Sequence, residues 1–206
     1  METDLPLKNR VLPDGTIHAL AARGTITGNR GILHVADRRM GPALWKIRAW
    51  ICCTLDWQGR QRTVMTGRRW TELFFLDEAV AFAAGHRPCG YCRRAAFERW
   101  KAAWQVAIGP WPGVQAVDAE MHAARAVPGA RRLCSHMAEA RALPHGAMFR
   151  TDRCWLVQDD QARPYTPDGY GPAEPLPRLS VETLTNPVTL SVLRAGYRPD
   201  LHPSAG

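Results

Sequence analysis

Two cysteines two residues apart follow a short helix whose two ends are both written in the sequence, and this junction constrains the chain more than any other stretch. It lies within residues 74–94, FFLDEAVAFAAGHRPCGYCRR. Asp77 is suited to accept a hydrogen bond from the free N–H groups of a helix over residues 78–83, and Gly85 to end that helix in the left-handed conformation. Pro88 has no N–H and a fixed φ, so Cys89 leaves a rigid turn and Gly90 gives Cys92 room to return toward it. A C-x-x-C pair of reduced thiols serves either as a redox couple or as half of a tetrahedral zinc site. The redox use expects a strand before the motif. Here a helix precedes it, which favours zinc.

The stretch over residues 74–94, with G-H-R-P-C-x-x-C from Gly85 to Cys92, resembles the zinc-binding domain of Ada-type DNA alkylation-repair proteins, which is also found attached to some nucleases. The resemblance implies a zinc ion held in part by Cys89 and Cys92 and a role near DNA repair or processing. That family takes two further ligands from an upstream C-x-x-x-C pair, one of which accepts a methyl group. This chain has no such pair, and adjacent Cys52 and Cys53 stand where it would be sought. His86 occupies a position that is aromatic in the family's pattern.

A chain of 206 residues with 46% hydrophobic content and eight tryptophans has enough apolar surface for a packed globule. No apolar run is long enough for a membrane helix, and the N-terminus lacks a signal peptide's pattern, so a cytoplasmic protein with no membrane partner is expected. Six cysteines, two of them in a C-x-x-C, fit thiol and metal chemistry better than a disulfide framework. The net charge of +8, from 27 basic and 19 acidic residues, is carried mostly by arginine. Arginine forks onto phosphate, so nucleic acid, DNA or RNA, is the expected partner; a basic composition without functional meaning is the alternative.

Residues 1–43, rich in glycine and turn formers, read as loops and short strands. Residues 44–57, LWKIRAWICCTLDW, alternate as a strand, completed to a hairpin by residues 62–66. Period two separates the neighbouring cysteines. Cys53 falls with Trp45, Ile47, Ala49, Ile51 and Leu55 on the more apolar face, where a thiol acts as a small hydrophobe. Cys52 falls on the mixed face and is the better ligand candidate. The metal set read from the sequence is therefore Cys89, Cys92, Cys52 and His86, with His34 and His122 competing for the last place.

Beyond the C-x-x-C, residues 93–108 predict an amphipathic helix with an aromatic stripe at Phe97, Trp100 and Trp104, better suited to core packing than to base stacking. Residues 109–113 end it as a hinge or linker. A third helix over residues 115–127 places Asp118, His122 and Arg125 on one face, where a carboxylate could orient an imidazole and an arginine hold an anion. A solvated salt-bridge face is the competing reading. Residues 131–143 read as helical. Residues 147–151, 154–157 and 163–166 read as a meander and 179–184 as another strand. A last helix starts at Pro187 behind the Asn186 cap, and a mobile tail follows from residue 200.

These features predict an α+β fold, an antiparallel sheet with helices on one side, in one domain over residues 1–206. A subdivision into a zinc-site half, residues 1–108, and a second half, residues 114–206, is compatible with the linker. Function resolves into three readings. The first is a zinc protein that binds nucleic acid near DNA repair or processing. The second is an enzyme acting on a phosphate-bearing or nucleotide-like substrate through Asp118, His122 and Arg125, with Arg30 and His34 as further candidates. The third is a zinc-structured interaction module without catalysis.

Overall fold

A computed structural model describes residues 5–60 and 63–206. In chain order it contains β1 (Lys8–Val11), β2 (Ile17–Ala19), β3 (Ile26–Asn29), β4 (His34–Ala36), β5 (Arg39–Met40), β6 (Ile51–Thr54) and β7 (Leu73–Phe75). Helix α1 (Glu78–Ala83), the short β8 (Arg87–Pro88), α2 (Arg94–Ala107) and α3 (Val114–Arg125) come next. The second half holds β9 (His136–Glu139), β10 (Met148–Arg150), β11 (Cys154–Gln158), β12 (Gln161–Thr166), β13 (Gly169–Tyr170), β14 (Glu174–Pro175), β15 (Ser180–Thr183) and α4 (Pro187–Arg194). The fold is α+β. Where one sheet was expected there are two larger ones, ordered β2-β1-β7-β3-β6-β8 and β13-β12-β11-β10-β15-β9, with β14 beside β12 and β4-β5 as a separate ladder. The second sheet is antiparallel throughout; the first has parallel pairings at β1-β7 and β6-β8.

Both predicted caps form. The Asp77 carboxylate accepts from Val80 N at 3.0 Å, and Gly85 ends the turn after α1 at φ +83°. Asn186 accepts from Thr189 N at 3.0 Å, with Pro187 opening α4. The stripe of α2 is core: Trp100 and Trp104 are fully buried, and Trp100 meets Phe82 and Tyr197 at ring separations of 5.0 and 5.5 Å. The 109–113 segment is pinned by Trp111, which lies edge-on to both Phe97 and Trp104 at 5.7 Å. One hydrophobic cluster takes in Phe75, Trp100, Phe149 and Leu190, residues from both halves of the chain.

Three local expectations fail, each because a tertiary pairing outweighs the local pattern. The 44–57 strand shrinks to β6, since residues 45–50 leave the ladder as Lys46 and Ile47 donate to Arg30 O and Trp50 turns inward to full burial. The hairpin partner is absent at residues 63–66, where the chain turns, and Arg62 lies outside the described residues. β6 pairs instead with β3 and β8. In place of a helix over residues 131–143, β9 pairs with β15 from Ser180↔Glu139 to Thr183↔His136, followed by a short 3-10 turn at Ala140–Ala142.

The tail expected to be mobile is held by α1. Asp200 N donates to Glu78 Oε2 at 2.9 Å and His202 N to Asp77 Oδ2 at 2.9 Å, and Ala205 is buried. Glu78, also buried, accepts from Arg93 Nη1 at 2.5 Å and from the Tyr197 hydroxyl at 3.0 Å. Removing one partner of a buried ion pair leaves the other uncompensated, which costs about 3–5 kcal/mol. Glu78→Ala is therefore expected to lower the unfolding free energy by about that amount in urea titration. Glu98→Ala, which breaks the exposed pair with Arg94, should change it by less than about 1 kcal/mol.

Candidate metal centre

The site begins with a backbone ladder. β6 and β8 run parallel in a register that pairs Ile51 with Arg87 and Cys52 with Pro88, and Cys89 N continues it by donating to Cys52 O at 3.0 Å. One step further along this register Cys53 lies beside Cys89. The turn after Pro88 then brings Cys92 back, with Tyr91 N donating to Cys89 Sγ at 3.4 Å. The result is a three-thiol cluster: the Sγ atoms of Cys53, Cys89 and Cys92 all lie within 4.8 Å of one another. Among the described residues this is the group of three or more potential ligand side chains found close enough to share an ion.

The electrostatics follow from that proximity. The Cys89 thiol is lowered to about 2, first by the hydrogen bond from Cys53 and then by that from Cys92. Cys53 is raised, by its hydrogen bonds to Cys89 and Cys92 and by burial. Three sulfurs within 4.8 Å of one another do not readily all become thiolates without a cation among them, since each new charge opposes the next. The cluster forms one end of a cavity of about 310 Å³. Trp57, Trp70, Phe74 and Tyr91 give that cavity aromatic walls, and Glu72 and Arg60 supply charge. Trp57 and Tyr91 meet edge to face at 5.4 Å.

Cys53, not Cys52, is the third thiol. The sequence reading assigned the core face of the strand by counting apolar residues on each side. Its apolar side, however, carries Ile47 and Leu55, which are 42% and 49% exposed, whereas the mixed side carries Trp50 and Cys52, both fully buried. Cys52 Sγ donates to Arg87 O and accepts from Arg93 Nη1, each at 3.4 Å, and burial followed by the Glu78 charge raises its pKa. It is a core thiol.

His86 is a core residue as well. Its ring packs 4.6 Å from Phe75 and 5.6 Å from Trp50, and Nδ1 donates to Ala81 O at 3.2 Å. This explains how an imidazole stands where the resembling pattern has an aromatic residue. His34 is also committed within the fold, with Nδ1 against Thr71 Oγ1 at 2.7 Å and Nε2 against Gly67 O at 2.9 Å.

The expected Asp118, His122 and Arg125 constellation does not assemble. Both Asp118 oxygens accept from Arg87, from Nε and Nη2, at 2.8 Å. Arg125 is buried against Trp50, its Cζ 3.9 Å from the ring centroid, and donates to Gly85 O and Arg48 O. His122 sits edge-on to Trp45 and Trp50 with Nδ1 unpartnered among the described residues. The face is neither a catalytic triplet nor a solvated one; two of its three members are buried in the fold. Arg30 is likewise buried, donating to Gly15 O and Ala84 O.

The sequence reading missed Cys53, Glu72, Trp57 and Trp70 as site residues. Strand β7 alternates in burial, with Leu73 and Phe75 buried and Phe74 half-buried between them, a pattern that three apolar residues in a row do not display in the sequence. Comparison of the chain with protein-family models, curated proteins and solved structures finds no match in any of the three.

The His86 environment gives a pH prediction. Burial, then the charges of Arg30 and Arg125, hold His86 well below its ordinary value, so it is neutral in the folded protein. The unfolded chain binds a proton as pH falls through about 6.5 and the folded one does not, so this group makes stability fall toward acid. His86→Phe keeps the ring packing and removes the titration. The loss of stability of the wild type relative to this variant between pH 7.5 and about 5.5 should be visible in denaturant midpoints, with metal content unchanged. Loss of metal from His86→Phe would return the histidine to the ligand set.

Proposed function

We propose that this is a zinc protein that binds nucleic acid, with a role near DNA repair or processing, and that Cys53, Cys89 and Cys92 hold the ion. The observation that carries the metal part is the convergence of three sulfurs, one from β6 and two from the turn that follows β8. Thiolate ligands favour soft or borderline ions, and zinc takes three or four of them at about 2.3 Å in a tetrahedral arrangement. A zinc ion there would neutralise the thiolates and, with three protein ligands, keep a fourth position for water or substrate. The cavity beside the cluster makes such an open position chemically useful.

The nucleic-acid part rests on three supports. The chain carries a net charge of +8. Its C-x-x-C lies within a stretch that resembles the zinc domain of Ada-type repair proteins. The cavity at the thiols has aromatic walls, on which an unstacked base can stack. The enzyme reading built on Asp118, His122 and Arg125 has no comparable support, since the carboxylate that would orient the imidazole is held by Arg87.

The purified protein should carry about one equivalent of zinc. Cys53→Ser should lose most of it and Cys52→Ser should keep it, as read by metal analysis. Chelation should lower stability by several kcal/mol, because the energy of metal binding is also folding energy. Equal retention in both serine variants would remove the three-thiol site. Binding to single-stranded and duplex DNA and to RNA should fall steeply between about 50 and 200 mM salt; no binding to any of them at the lower value would remove the nucleic-acid part and leave the metal site standing.

A further inference from the structure

The geometry points to a second subsite, formed by Arg10 and Arg23, that takes a phosphate ester whose attached group reaches toward the three thiols. This inference deepens the nucleic-acid reading and rests on it. The central observation is a row of directly opposed residues. Arg10 on β1 pairs with Phe74 on β7, Phe74 with Thr27 on β3, and Thr27 with Cys53 on β6. Opposed residues on paired strands share a face of the sheet. Three of the four, Arg10, Phe74 and Cys53, are half-buried, and Thr27, although buried, lines the thiol pocket; Val11, Leu73, Phe75 and Cys52 are fully buried on the other side. One outward row thus runs from an arginine to the metal-site thiol over three strand spacings, about 14 Å between the end backbones.

A second cavity, about 450 Å³ in volume, lies at the arginine end. It is lined by Arg10, Arg23, Pro6 and Leu20, and it shares Leu55 and Phe74 with the thiol pocket, so the two cavities adjoin across these side chains. Its lining, among the described residues, contains two cations and no carboxylate. Arg10 is fixed in the cavity wall. Its guanidinium lies 4.9 Å from the Phe74 ring centroid, Nε donates to Ala22 O and Nη1 to Asn9 Oδ1, both at 2.5 Å. Arg23 is exposed; burial first, and then the charge of Arg23, lower the Arg10 pKa.

Paired arginines fork onto phosphate oxygens, and an aromatic wall beyond them suits the planar group that a nucleotide attaches to its phosphate. The phosphate would rest at Arg10 and Arg23, and the base would lie along Phe74 and Thr27 toward Cys53. Two sources offer this chemistry, a strand of nucleic acid and a free nucleotide.

The test uses the zinc-loaded full chain with an oligothymidylate of about twelve nucleotides and, separately, thymidine monophosphate, a probe of the free-nucleotide source. Arg23→Gln is the informative variant because Arg23 is exposed and its loss spares the packing; Arg178→Gln, equally exposed on the loop before β15, is the control. At about 50 mM salt Arg23→Gln should weaken oligothymidylate roughly fivefold to tenfold and reduce the log–log salt slope by about 0.7, the value of one phosphate contact on a single strand. Arg23→Lys should keep most of the slope, and Arg178→Gln should match the wild type. If the wild type binds oligothymidylate and Arg23→Gln binds it with the same affinity and slope, the subsite is wrong and the nucleic-acid reading stands. Binding of the monophosphate alone, dependent on Arg23, keeps the subsite and overturns the strand as its source. Failure of the wild type to bind either probe overturns both readings.

Discussion

The Glu78 carboxylate is the interaction on which most of the structure depends. It is fully buried at the start of α1, and it accepts from Arg93 at the entry to α2, from the Tyr197 hydroxyl after α4 and from the backbone of Asp200. Arg93 directly follows Cys92 and uses its other terminal nitrogen on Asp200 at 2.7 Å. One carboxylate therefore joins the helix before the C-x-x-C, the helix after it and the end of the chain. The neighbouring Asp77 adds a second clamp, taking the α1 cap, the Tyr170 hydroxyl and the His202 N–H. Burial of such charges is tolerable only because every oxygen is occupied.

That scaffold explains why the thiol site can sit at the edge of the first sheet. β8 is only two residues long, too short to hold its register alone, yet Cys89 must lie beside Cys53 to within a fraction of an ångström for three sulfurs to meet one ion. α1 before it and Arg93 after it set both ends of the segment. The Arg87 side chain adds a third constraint through its two-pronged pair with Asp118 on α3. Three helices and one strand pairing thus position a turn that carries two of the three clustered thiols.

The basic charge divides into two populations with different physical roles. Arg30 and Arg125 lie against the Trp50 ring and Arg87 pairs with Asp118, all of them buried; Arg93, largely covered, pairs with Glu78. Their donors are directed at carbonyls and carboxylates inside the protein, so they contribute little to a field outside it. Arg23 and Arg60 are exposed and border the two cavities, and Arg10 lines one of them with Nε and Nη1 on protein acceptors. Formal charge overstates the charge available to a partner.

Helix boundaries were legible because capping is local: Asp77, Gly85, Asn186 and Pro187 act within four residues, and α1 and α4 form where those signals put them. The C-x-x-C was legible for the same reason, since Pro88 and the short spacing bring two sulfurs together without help. The choice between Cys52 and Cys53 was not. Period two says that they face opposite sides, but which side meets the core depends on what packs there, and here Cys52 joins the buried cluster that contains α1. Likewise β9 became a strand through β15, more than forty residues away, and Asp118 lost its histidine to an arginine on another element. The sequence by itself determined α1, α4, their caps and the C-x-x-C turn, because those depend on neighbours along the chain. Tertiary structure decided the third thiol, the cavity beside it and the fate of each buried charge, because those depend on partners that only folding brings near.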